Sequence, residues 1–216
     1  SDQAAKIHGR GLYASIDREE FADFYKAADQ RGTLFEQTGT AKQFEATDMR
    51  PLVCTTPIEY TGQGTISGAL AALKAGLGST PLDHAFMTTV APASFEPGVG
   101  DEYYESEEAF LYAMADALAV EYRAIVDAGL ILQVDDAYIP ALWESIGVRI
   151  GLEEYRKFVS LRIDVLNHAL RDLPQDRVRY HLCWGSWHGP HAHDLPLKDI
   201  VDLLLRVDAG GYLIES

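Results

Sequence analysis

Positive charge is scarce in this chain: 18 lysines and arginines stand against 33 aspartates and glutamates, a formal net charge of -15. With so few cations to neutralise phosphates, nucleic acid and anionic membrane surfaces are excluded as partners. Cysteine is scarcer still. The two present, Cys54 and Cys183, are far apart in sequence and make no disulfide framework. A reducing compartment suits them. No run of about 18 apolar residues occurs, which excludes a transmembrane helix. The opening residues, SDQAAKIHGRG, lack the charged-then-apolar order of a secretory signal. A cytoplasmic protein is the expectation by elimination. No G-x-G-x-x-G follows any strand-like run either, which argues against a dinucleotide fold.

What the chain does contain is ordinary globular composition, 47% hydrophobic and 24% charged over 216 residues, enough for one sizeable core. Residues 1–50 read as a peripheral region. A short amphipathic helix is expected over 17–29, with Asp17 as N-cap and Phe21, Phe24 and Tyr25 at helical spacing. A polar loop or hairpin follows over 31–50. From there strands and helices alternate. Strands are expected over 50–60, 82–90, 130–134, 178–183 and 211–214, and helices over 66–77, 107–128, 152–170 and 197–207. Ser106 is an N-cap, Glu107 and Glu108 suit a helix N-terminus, and Gly129 closes the same helix. The nearly continuous apolar run 130–134 predicts a strand buried on both faces. The stretch APASFEPGVG reads as a loop built by proline and glycine.

Such alternation means parallel βαβ units. The expected fold is α/β, a (β/α)8 TIM barrel present as an incomplete piece with about five strands and occupying residues 51–216. Eight strands are needed for closure. The expectation is therefore a piece of a longer protein, with two strands before residue 1 and one after residue 216. A doubly wound open sheet is the competing architecture. The active site of a βα barrel lies at the C-terminal ends of its strands. Polar and ionisable residues gather there: Glu59, Thr88 and Thr89, Asp135 and Asp136, His181 and Cys183, and Glu215.

Taken singly, a histidine or cysteine in a strand is most often an ordinary core residue, and Cys54 is read that way. The spacing of the second cysteine changes its meaning. His181 and Cys183 are two apart on one strand and so share a face. They present an imidazole nitrogen and a thiol sulfur side by side, two thirds of a zinc site. A parallel neighbour about 4.8 Å away brings Glu215 alongside. Zinc with three protein ligands and an open position would turn a substrate thiol into a thiolate, which attacks an alkyl group, a methyl above all. Asp135 suits the substrate's ammonium, and Asp136, Thr88 and Glu59 are candidates for the pocket lining. His188, His191 and His193 fall in the loop WGSWHGPHAHDLP above the expected metal. One reading makes them substrate contacts or a general acid near neutral pH. The other makes the loop a lid with solvated or structurally bonded histidines. Trp184 and Trp187 are expected to pack.

Four segments, MTTVAPASF, LILQVDDAYIP, YHLCWGS and GGYLIES, together resemble the cobalamin-independent methionine synthase family, in its short single-barrel form. The resemblance spans residues 80–216. It implies that His181, Cys183 and Glu215 bind catalytic zinc, with a fourth ligand, a cysteine, on a last barrel strand that this chain lacks. It also implies that Asp135 holds the amino group of the thiol substrate. Asp136 stands where the family usually has glutamate. The activity implied is methyl transfer from methyl-folate to homocysteine. Two departures bear on the donor: the span from Cys183 to Glu215 is longer than in methionine synthase, and no duplicated folate-binding domain precedes the barrel. Relatives that use other thiols and alkyl donors, such as epoxyalkane–coenzyme M transferases, share the barrel and the zinc strand. A zinc hydrolase is the competing reaction class, a metal-binding remnant without chemistry the third reading. A homo-oligomer is compatible with all of them.

Overall fold

The computed structural model of the chain describes residues 16–31, 52–95, 99–184 and 190–215. The polar stretch 32–51, Trp187 and His188 lie outside them. The N-terminal helix comes as two, α1 (Ile16–Glu20) and α2 (Ala22–Arg31), with Phe21 between.

The elements that follow are β1 (Leu52–Cys54), α3 (Gln63–Leu77), β2 (Phe86–Val90), α4 (Pro92–Phe95), β3 (Val99–Asp101) and α5 (Glu107–Asp127). Then come β4 (Ile131–Asp136), α6 (Tyr138–Ala141), a π turn (Trp143–Gly147), α7 (Val148–Ile150), α8 (Leu152–Leu170), β5 (Val178–Leu182), α9 (Val201–Leu204) and β6 (Gly211–Ile214). The fold is α/β with parallel sheets. β2, β4, β5 and β6 form one four-stranded sheet in that order, and β1 pairs with β3 in a second. Among the described residues these strands do not close into a barrel. No described helix is long and apolar enough to cross a membrane.

The long helices form where capping and periodicity agree. The Ser106 hydroxyl accepts the Ala109 N–H at 3.1 Å and starts α5. Gly129, at φ +88°, turns the chain out of the helix in a conformation that other residues rarely adopt. Between them Phe110, Leu111, Met114, Leu118, Tyr122 and Ile125 make one buried stripe. The matching stripe of α8 is Tyr155, Val159, Ile163, Leu166 and Leu170. The two helices pack together over the sheet. Arg162 of α8 is buried in this contact, ion-paired to Glu107, with its guanidinium 3.4 Å from the centre of the Phe158 ring.

Four expectations change. The described strand over 50–60 is Leu52–Cys54, and the chain has left the ladder before Pro57, which could not donate to it. Glu59 therefore does not end a strand. The loop after β2 contains α4, opened by a proline where its missing N–H costs nothing, and β3, which brings the strand count to six. The helix over 197–207 is a 3-10 turn at Leu197–Asp199 and then the short α9, interrupted at Ile200, whose φ is -134°. Finally, the second face of β4 is buried only in part: Gln133 is 8% exposed there, while Ile131 and Asp135 are half-buried.

Parallel register puts Met87, Leu132, Val178 and Tyr212 on one face, together with Thr89, Val134, Tyr180 and Leu182. Leu132, Val134, Tyr180 and Leu182 are fully buried there under the helices. The opposite face carries Phe86, Thr88, Val90, Ile131, Gln133, Asp135, Arg179, His181 and Leu213. Phe86 is 45% exposed and Leu213 43%. Among the described residues this second face is open.

Candidate metal centre

The open face ends, at the C-terminal edge of the sheet, in four ionisable side chains, Asp135, His181, Cys183 and Glu215. Asp135 on β4 lies beside His181 on β5, which lies beside Leu213 on β6. The ladder continues just past the strand ends: the Cys183 N–H donates to the Asp136 carbonyl at 3.1 Å, and the Glu215 N–H to that of Leu182 at 3.2 Å. Two-residue periodicity then points Cys183 to the side of His181, and Glu215 to the side of Leu213. The ligand atoms of His181, Cys183 and Glu215 all lie within 4.8 Å of one another. Cys183 Sγ donates to Glu215 Oε2 at 3.3 Å.

That spacing suits zinc. Ligands at the usual zinc distances in a tetrahedron are about 3.5 Å apart for a sulfur and an oxygen. The donor set of imidazole, thiol and carboxylate is one zinc accepts. His181 and Cys183 are half-buried and Glu215 is exposed, so the cluster is reachable from solvent.

Behind the cluster lies a hydrogen-bonded row along β4. His181 Nδ1 is 2.9 Å from Asp135 Oδ1, and Gln133 Nε2 donates to the same oxygen at 2.7 Å. The Asp135 carbonyl is fixed as well, accepting the Ala91 N–H at 2.9 Å. From sequence alone Gln133 reads as a polar interruption in an apolar run. Its spacing of two from Asp135 is the signal that places both on one face.

Asp136 is on the other side of the strand. It is 2% exposed, and its Oδ2 accepts the Tyr180 hydroxyl at 3.0 Å. Burial pushes its carboxyl up to about 6, against the opposing pull of Tyr180, the Tyr138 and Ile139 amides and Arg162. Burial also raises the Tyr180 phenol well above its ordinary range. The structure thus brings Asp135 to the cluster and separates Asp136 from it. Thr88 stands on the open face beside Gln133 and is exposed. Glu59 is exposed in the irregular segment after β1 and makes no hydrogen bond or ion pair among the described residues.

The described histidines after β5, His191 and His193, have other engagements. His191 Nδ1 is 3.1 Å from Asp194 Oδ2, and His193 Nε2 is 2.7 Å from Glu20 Oε2 of α1. Neither joins the ligand cluster. Trp184 packs on the core and donates its indole N–H to the Leu195 carbonyl at 3.2 Å. Cys54 is a free, partly buried cysteine packed against the core. Compared with known proteins, the chain matches no family model and no curated sequence.

Proposed function

We propose that the chain binds zinc through His181, Cys183 and Glu215 and transfers an alkyl group, a methyl first among candidates, to a small-molecule thiol, as the methionine synthase family it resembles does. The supporting observation is the convergence of three chemically matched donors within 4.8 Å at the C-terminal edge of adjacent parallel strands. The arc β2-β4-β5-β6 also suits a (β/α)8 barrel. Its strands are parallel and follow chain order without the reversal of a doubly wound sheet. Its uncovered face would be the barrel interior.

Bound there, zinc supplies Lewis acidity: it holds a coordinated thiol as thiolate at neutral pH, where a free thiol of pKa about 8.5 stays mostly protonated. The chain's own residues do the rest. His181 is on β5, and Cys183 and Glu215 follow the ends of β5 and β6 by one residue, where backbone hydrogen bonds continue the ladder and fix their spacing. Metal entry requires the Cys183 proton to leave, and Glu215 Oε2, 3.3 Å away and exposed, is the acceptor that passes it to water. Asp135 is partly exposed and offers Oδ2, which has no partner among the described residues, to a substrate ammonium. Thr88 lines the same face.

The test is metal content by elemental analysis, followed by alkylation of homocysteine and of coenzyme M with methyl and epoxide donors. We expect about one zinc per chain, lost in a His181→Ala, Cys183→Ala double variant, and turnover that requires a thiol. A chain that takes up no zinc sinks the proposal. Zinc-dependent ester or amide cleavage without any thiol would replace it with a hydrolase.

A further inference from the structure

The row Gln133, Asp135, His181 carries more than the presence of a metal ligand. A carboxylate only accepts hydrogen bonds. Asp135 Oδ1 accepts an N–H from Gln133 at 2.7 Å, and as a carboxylate oxygen it can accept a second hydrogen bond but donate none. The His181 nitrogen at 2.9 Å from it must then be the N–H of the ring. In a neutral imidazole the other nitrogen is left with the lone pair. We infer that Asp135, itself held by Gln133, is a positioning residue that fixes His181 as the Nδ1–H tautomer and so reserves Nε2 for the metal.

Burial supports this assignment. Gln133 is 8% exposed in a strand whose neighbours Leu132 and Val134 are fully buried. An amide in such a place costs free energy unless it is hydrogen-bonded, and its Nε2 is spent on Asp135. The three residues sit on one face by strand parity and register, Gln133 and Asp135 at i and i+2 on β4, and His181 beside Asp135 on β5. Two donors converging on one oxygen fix the carboxylate plane, which in turn fixes the ring. Partners of this kind set the orientation and basicity of metal-binding histidines, and their loss typically weakens metal affinity about 10- to 100-fold. The inference deepens the zinc reading and rests on it for its function; the tautomer stands independently of any metal.

The experiment therefore has two readouts. Long-range proton–nitrogen correlation spectra of the zinc-free, histidine-labelled protein at mildly alkaline pH identify which ring nitrogen of His181 carries hydrogen. Competition with a chromophoric chelator gives zinc affinity. The wild type should show Nδ1–H. Asp135→Ala should move His181 toward the Nε2–H form and weaken zinc about 10- to 100-fold. Asp135→Asn, which keeps an acceptor oxygen, should retain Nδ1–H and recover most of the affinity. An Nε2–H wild type, or a tautomer indifferent to Asp135→Ala, overturns the assignment, and a shifted tautomer with unchanged zinc affinity overturns the reservation of Nε2 for the metal. An Nδ1–H tautomer that depends on Asp135 in a chain that binds no zinc would uphold the positioning and remove the zinc reading alone.

Discussion

Asp135 and Asp136 are consecutive residues of the same type, and the sheet gives them opposite environments. Asp136 points into the packed face, 2% exposed, against Tyr180 and under the helices, where burial raises its carboxyl to about 6. Asp135 points to the open face, partly exposed, against His181 and Gln133. One step along a strand separates a buried carboxyl from a half-exposed one beside the donor cluster. The same division runs through the whole sheet. Leu182 is fully buried on the packed side, while Leu213 on the neighbouring strand is 43% exposed on the other. Parallel sheets are ordinarily covered on both faces. Here stability comes from one face, and the polar groups that can bind a ligand are on the other.

The largest test of that division is Leu182→Ala against Leu213→Ala. Removing the buried leucine should cost about 2–5 kcal/mol, transfer and cavity together. Removing the exposed one should cost about 1 kcal/mol, since roughly half its surface is already in water. Urea unfolding of both variants gives the comparison. Similar losses would mean that the open face is covered in solution.

Asp136 sharpens the contrast through pH. Its folded value of about 6 lies above the ordinary 3.8, so the folded chain keeps a proton that the unfolded chain has released. The stability this contributes is fully present below about pH 3.8 and is lost as pH rises through about 6. The whole excursion is worth at most about 3 kcal/mol. Asp136→Asn, which never ionises, should match the wild type near pH 4 and be more stable than it by up to that amount near pH 7. A pH-independent difference between the two would show that Asp136 ionises as readily folded as unfolded.

Much of this was legible in the sequence, for identifiable reasons. The bounds of α5 follow from Ser106 and Gly129 because a cap and a positive-φ glycine are local signals. The cluster of His181, Cys183 and Glu215 follows from parity on one strand and adjacency of the next. What failed required knowledge of register or covering. The run 130–134 is nearly all apolar, and nothing in it distinguishes a strand buried wholly on both faces from one, like this, buried wholly on one and partly on the other. Which of two adjacent aspartates faces the site is equally hidden, since alternation separates them without saying which side is packed. β3 is three residues in a proline- and glycine-rich stretch, too short for periodicity to register. The broken helix near residue 200 keeps the apolar spacing of a whole one, with Ile200, Leu203, Leu204 and Val207 still buried.

The smallest expected effect is on the open face itself. Arg179 of β5 reaches across β4 and places its guanidinium 3.9 Å from the centre of the Phe86 ring on β2. Its buried Nε has no hydrogen-bond partner among the described residues. Phe86→Ala removes a cation–π contact of about 0.5–1 kcal/mol and a ring that is 45% exposed. It also opens Arg179 to water, which can supply the partner Nε lacks, so part of the loss is returned. The net change should be at most about 1 kcal/mol in urea unfolding, far below the 3–5 kcal/mol typical of a core phenylalanine. If instead Phe86→Ala costs as much as a core truncation, Phe86 is covered when the protein folds in solution. The face that carries Asp135 and His181 would then be an interior rather than an open surface, reached by substrate only at the strand ends.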